Sequence, residues 1–120
     1  SHDGGRTWSH ALQTEIWGYP PHLLNLSDGR ILCSYGHRRD PMGVRAVISN
    51  DGGRSWDLEN AVILRDDAVA KQGNPVGAQS PSDIGYPISV QLTGGDIFTA
   101  YYFTAEDGIV HTAATRWQLD

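Results

Sequence analysis

Two adjacent arginines, Arg38 and Arg39, lie in the polar stretch Gly36-His37-Arg38-Arg39-Asp40-Pro41-Met42. A guanidinium presents a planar fork of N–H donors that matches a carboxylate, which makes the pair a candidate anion clamp. The same residues also read as solvated charges or partners of Asp40, because exposed ion pairs are common and weak. Asp83 stands three residues before Tyr86. Its carboxylate suits a pocket rim or an acid, and equally a turn former. Tyr86, between Gly85 and Pro87, fits an ordinary packing role at the start of a strand. Arg45 alternates with Val44 and Ala46 and so faces one side of a strand. Asp66 and Asp67 are neighbours, and on an extended chain neighbours point to opposite sides.

Other chemistries find no pattern. His2, His10, His37 and His111 lack ligand spacing such as His-x-x-x-His, so no metal site is expected. Gly52-Gly53 is not followed by the Lys-Ser/Thr of a phosphate loop, and no cofactor is expected. The single cysteine, Cys33, excludes an intrachain disulfide. It alternates with Ile31 and Tyr35 and reads as a small core residue. A net charge of -5 supplies no basic footprint for nucleic acid or an anionic membrane.

The elements that must position these residues announce themselves in a repeated motif. Ser1-His2-Asp3-Gly4-Gly5-Arg6-Thr7-Trp8 and Ser49-Asn50-Asp51-Gly52-Gly53-Arg54-Ser55-Trp56 share the order Ser-x-Asp-x-Gly-x-x-Trp. The aspartate folds onto backbone N–H groups ahead of it, and a glycine takes φ > 0. The tryptophan then returns on the next strand and buries its ring. Turn chemistry accounts for every residue type in the motif, so Ser1, Asp3, Gly5, Trp8, Ser49, Asp51, Gly53 and Trp56 are read as structural.

Around the boxes the pattern is β throughout, with no helical period. Residues 9–16, with Ala11, Leu12 and Ile16, read as a strand stopped by Gly18-Tyr19-Pro20-Pro21. Residues 22–26 and 30–35 flank the turn Ser27-Asp28-Gly29, residues 43–48 run into the second box, and residues 58–64 follow it. Periodicity then lapses until about Gly85, a stretch read as a long loop. Beyond it, Gly85-Tyr86-Pro87 echoes Gly18-Tyr19-Pro20, and residues 97–102 echo 31–36 at an offset near 66. Residues 109–115 match the third strand. Arg116-Trp117-Gln118-Leu119 stands where a third box would fall.

The two boxes, with the hairpins His22-Leu23-Leu24-Asn25-Leu26-Ser27-Asp28-Gly29-Arg30-Ile31-Leu32 and Gly85-Tyr86-Pro87-Ile88-Ser89-Val90-Gln91-Leu92, resemble the Asp-box or bacterial-neuraminidase repeats of the sialidase (neuraminidase) superfamily. The likeness covers about residues 19 to 117. It implies an all-β chain of about two four-stranded antiparallel blades from a six-bladed sialidase-like β-propeller. Residues 1–17 would be the outer strand of a blade, 18–65 a full blade, 66–84 a loop and 85–120 a partial blade. At 120 residues the chain is too short to close a ring. It would be part of a longer chain, or three copies would assemble as a homo-oligomer. A secreted or periplasmic setting follows from the family alone, since no basic or apolar leader opens the sequence.

The resemblance also implies a chemistry. In the catalytic family arginines grip the carboxylate of a sialylated glycan, a glutamate-activated tyrosine is the nucleophile and an aspartate the acid/base. This is an exception to the two-carboxylate glycosidase scheme. Carried over, Tyr86 takes the nucleophile's place, Asp83 is the acid candidate, and Arg38 or Arg39 the clamp beyond Gly36, where the arginine itself would fall. The two glutamate positions hold Pro20 and Tyr102. His22, opening the innermost strand, would approach the channel of a ring, or sit satisfied in a core. Two functions follow: a glycoside hydrolase acting on sialic acid or a related acidic sugar, or a non-catalytic propeller binding glycans or proteins. A blade fragment without a function of its own is the third reading.

Overall fold

Alternating apolar residues between Gly- and Asp-rich turns fold into seven strands in the computed structural model, which describes residues 1–69 and 82–119. These are β1 (Pro21–Asn25), β2 (Ile31–His37), β3 (Gly43–Ser49), β4 (Val62–Arg65), β5 (Gly85–Gln91), β6 (Ile97–Thr104) and β7 (Val110–Trp117). They form two antiparallel sheets, ordered β1-β2-β3-β4 and β5-β6-β7. The chain is all-β, with no helix among the described residues.

The first hairpins of the two sheets are copies. His22 pairs with Ser34 and Leu24 with Leu32, just as Ile88 pairs with Ala100 and Val90 with Phe98. Their turns match as well. The N–H of Gly29 donates to the Leu26 carbonyl at 3.0 Å, and that of Gly95 to the Leu92 carbonyl at 2.9 Å.

Both boxes form the expected turn. Asp51 Oδ1 accepts the N–H groups of Arg54 and Ser55, each at 2.9 Å, and Oδ2 accepts the Ser55 hydroxyl at 2.6 Å. Ser49 Oγ accepts the Gly53 N–H at 2.8 Å. Asp3 and Ser1 repeat the set with Arg6, Thr7 and Gly5. These donors lower both carboxyls, Asp3 to about 2, with the Thr7 hydroxyl as its largest cause. The rings differ. Trp56 packs against buried Cys33, Tyr35 and Val47, whereas Trp8 is 77% exposed, contrary to expectation. The strand expected over residues 9–16 also fails to form. Leu12 is exposed, and Ile16 packs against the Cys33 cluster.

The sheets pack face to face. One cluster joins Leu26, Leu32, Ala46 and Ile97, and another joins Met42, Val44, Ile84, Tyr101 and Phe103. Fully burying each such side chain contributes about 1.5–3 kcal/mol. A polar line crosses the seam: Ser34 Oγ to Ser89 Oγ at 3.0 Å, then to Thr99 Oγ1 at 2.9 Å, which accepts Trp117 Nε1–H at 3.0 Å. Satisfied buried hydroxyls of this kind fix one register between the sheets. Residues leaving β4 add a strap, since the Ala68 N–H reaches the Met42 carbonyl and the Val69 N–H the Thr104 carbonyl. Most of the expected 66–84 loop, residues 70–81, lies outside the described residues.

Candidate functional site

The ends of β2 and β6 and the start of β5 meet at one end of the seam. Two glycines permit the approach. A Cβ on Gly36 would stand 2.9 Å from the Tyr19 carbonyl oxygen and 3.0 Å from Gly85 Cα, so no arginine fits there. Gly85 itself has φ +128, a conformation that favours glycine.

Arg38, two residues beyond Gly36, crosses from the first sheet to the second. Its Nη2 donates to the Ile84 carbonyl at 2.6 Å and to the Tyr102 hydroxyl at 3.3 Å, while its guanidinium lies 4.8 Å from the Tyr19 ring centroid. Asp83 is pinned beside it. The Asp83 N–H donates to Thr104 Oγ1 at 3.1 Å, and the Thr104 hydroxyl donates back to the Asp83 carbonyl at 2.8 Å. Burial pushes the Tyr102 phenol up. Arg38 opposes that rise, and hydrogen bonding to the Asp83 carboxylate adds to it. Tyr102 therefore stays protonated at neutral pH.

Tyr86 is the outlier of the backbone. Its φ of 48 lies in the left-handed region, on a β-bulge between Gly85 and Ile88, and its ring is 62% exposed. Bulky residues rarely hold that conformation, and bulges re-aim side chains. Here the ring stacks on Tyr102 with centroids 5.5 Å apart. Among the described residues its hydroxyl has no hydrogen-bond partner.

Beyond Tyr19 the cluster continues onto exposed surface. Trp17 meets Tyr19 edge to face at 6.4 Å and His37 at 5.8 Å, and the Arg39 guanidinium rests 3.7 Å from the Trp17 ring centroid. Burial, with the charges of Arg45 and Arg39, holds His37 below its ordinary range, so at neutral pH the positive charge rests on the arginines. Arg38, Arg39, Asp83 and Tyr86 thus gather at one end of the seam. His22 does not join them. Its Nδ1 accepts the Ser89 N–H at 3.3 Å, which turns the ring onto β5. Trp17, Tyr19 and Tyr102 were not among the candidates. The repeated Gly-Tyr-Pro was the signal for Tyr19, and the glutamate position the signal for Tyr102.

No protein-family model matches the chain, and neither does any curated protein. A solved structure does: a protein of unknown function from Dyadobacter fermentans DSM 18053, at TM-score 0.78 and 31% sequence identity. The similarity covers 100% of this chain and 30% of that one, so this chain spans under a third of its length.

Proposed function

We propose that the two sheets are consecutive blades of a sialidase-like, six-bladed β-propeller, and that the cluster at the end of their seam binds a terminal sialic acid or a related acidic sugar. Tyr86 carries this reading. An exposed ring held in a left-handed backbone conformation, at a cost of about 1–3 kcal/mol, persists where its placement serves a function.

Around Tyr86 the chemistry suits an anionic sugar. Arg39 is exposed, and its face is backed by Trp17, leaving its N–H edge open toward a carboxylate. The rings of Tyr19 and Tyr86 offer flat apolar surface to the C–H face of a sugar, with hydroxyls at their tips. Arg38, engaged with the Ile84 carbonyl and Tyr102, positions those rings and joins the sheets. Against a net charge of -5, attraction for an anion has to be local, and two adjacent guanidiniums provide it.

Hydrolysis is the second reading, favoured by the presence of Asp83 in the same cluster. In it Tyr86 is the nucleophile and Asp83 the acid/base. Binding ranks first because, among the described residues, no base is hydrogen-bonded to the Tyr86 phenol to activate it. The test is an NMR titration of the chain with N-acetylneuraminic acid, glucuronic acid and neutral galactose. Saturable shifts at residues 36–39 and 84–89 are expected for the acids and lost in Arg39→Ala. Equal shifts with galactose, or none with either acid, refute the site. Turnover of a fluorogenic sialoside that disappears in Tyr86→Phe would decide for hydrolysis.

A further inference from the structure

We infer that Thr104 is the positioning residue of the candidate site: its hydroxyl fixes the segment that delivers Asp83 and Tyr86, and so makes the backbone strain collect at Tyr86. The inference deepens the acidic-sugar reading, on which only its affinity readout rests. Thr104 ends β6 and is fully buried. Its hydroxyl takes both backbone groups of Asp83, accepting the N–H at 3.1 Å and donating to the carbonyl at 2.8 Å. Its own carbonyl accepts the Val69 N–H at 3.3 Å. Val69 and Asp83, on either side of residues 70–81, are thus held by one residue at the end of a strand.

From Asp83 onward the chain has little choice. Gly85 pairs with Tyr102 and Ile88 with Ala100, so three steps along β5 are set against two along β6. The surplus falls on Tyr86 and Pro87. Pro87 cannot absorb it, because its ring fixes φ and also keeps the residue before it out of the right-handed helical region. Gly85, with its wide conformational range, would pass the surplus back up the chain. Asp83, tied at both its N–H and its carbonyl, closes that route. Tyr86 therefore takes its left-handed φ of 48, and its ring comes to rest on Tyr102. Thr104, being buried, acts on a ligand only through Asp83 and Tyr86.

The test compares three variants of the whole chain. Thr104→Val keeps the shape and loses the hydroxyl, and Thr104→Ser keeps the hydroxyl. Thr115→Val is the control, since it removes a hydroxyl bonded to Tyr101 in the same sheet without touching Asp83. Should Thr104→Val fail to fold by circular dichroism, Thr104→Ala replaces it, because its smaller side chain lets water reach Asp83. In titrations with N-acetylneuraminic acid, Thr104→Val is expected to bind about two- to thirtyfold more weakly than wild type. Thr104→Ser and Thr115→Val are expected to keep wild-type affinity. Unchanged affinity in Thr104→Val, no rescue by Thr104→Ser, or an equal loss in Thr115→Val overturns the positioning role. If wild type itself does not bind the acid, the sugar reading fails, and the strain readout decides this inference alone. Tyr86→Gly is expected to lower the urea midpoint more in the Thr104→Val background than in wild type, because there residue 86 has already relaxed and glycine has no strain to release. The same shift in both backgrounds overturns the inference.

Discussion

Replacing Tyr86 by glycine should leave the fold about as stable as before, although the change removes an entire aromatic ring from a strand. A left-handed backbone costs a residue with a Cβ about 1–2 kcal/mol, which glycine does not incur. Against that stand the lost stack on Tyr102, about 0.5–1.5 kcal/mol, and the greater unfolded-state freedom of glycine, about 0.5–1 kcal/mol. The terms nearly cancel. Ile88, two residues on and as exposed as Tyr86, provides the control, because its φ is not positive. Ile88→Gly incurs the same backbone entropy and loses side-chain packing with no strain to release, about 1–2 kcal/mol in all. Urea unfolding of the two variants beside wild type, at equal protein concentration, measures the difference from midpoint and slope. The Ile88 variant should fall well below wild type while the Tyr86 variant stays near it. If Tyr86→Gly loses as much as Ile88→Gly, no strain is stored at residue 86, and the main support for a ligand site there is gone. If it keeps both its stability and its affinity for acidic sugar, the ring is not a binding group.

The two boxes should respond unequally to loss of their rings: Trp56→Ala costs about 3 kcal/mol, whereas Trp8→Ala stays within about 0.5 kcal/mol, both by urea unfolding of the chain. Gly36→Ala drives a methyl into the Tyr19 carbonyl and the Gly85 backbone, so it should destabilise by about 1–3 kcal/mol and weaken acidic-sugar binding in the same titration. Acid should loosen both boxes: each aspartate has its folded pKa below the ordinary 3.8, so its contribution is complete above that value and is lost as pH falls toward about 2 for Asp3, and lower still for Asp51. Asp51→Asn should flatten the fall of thermal stability across that window, and an unchanged slope would refute the assignment. Cys33, whose thiol is pushed up to about 11 by burial, should react with iodoacetamide in the unfolded chain far faster than in the native one.

What could be read from the sequence depended on how local the cause was. Every bond of a box lies within four residues, so Asp51, Ser49 and Ser55 could be assigned from their spacing alone. Hairpins with a Gly turn are nearly as local, and their strands begin within a residue or two of the expected positions. The start of β4 was not legible. Asp57 Oδ1 accepts the Asn60 N–H at 3.2 Å, and that side-chain turn delays the strand from Leu58 to Val62. Residues 9–16 have the apolar pattern of a strand but join neither sheet, and pattern alone supplies no hydrogen bonds. Trp8 makes the same point, since a box can close its turn without anything for its ring to bury against. The site was legible as residue types and illegible as geometry. Arg38 and Arg39 look equivalent in sequence, yet one spans the seam and the other lies flat on Trp17.

That division between the arginines follows from the seam itself. Gly36 and Gly85 bring the two backbones so close that the Ile84 carbonyl lies beside β2, and the first long donor past Gly36 reaches it. Arg38 is that donor. Once its guanidinium is committed there, Tyr102 is held by it and Tyr86 stacks on Tyr102, so the exposed Tyr86 ring is oriented by contacts that begin in the other sheet. On the proposed reading, ligand affinity and sheet packing are therefore one coupled quantity. A change that separates the sheets by a fraction of an ångström reaches Tyr86 through Arg38 and Tyr102, while Arg39, resting on Trp17 outside the seam, keeps its charge in place.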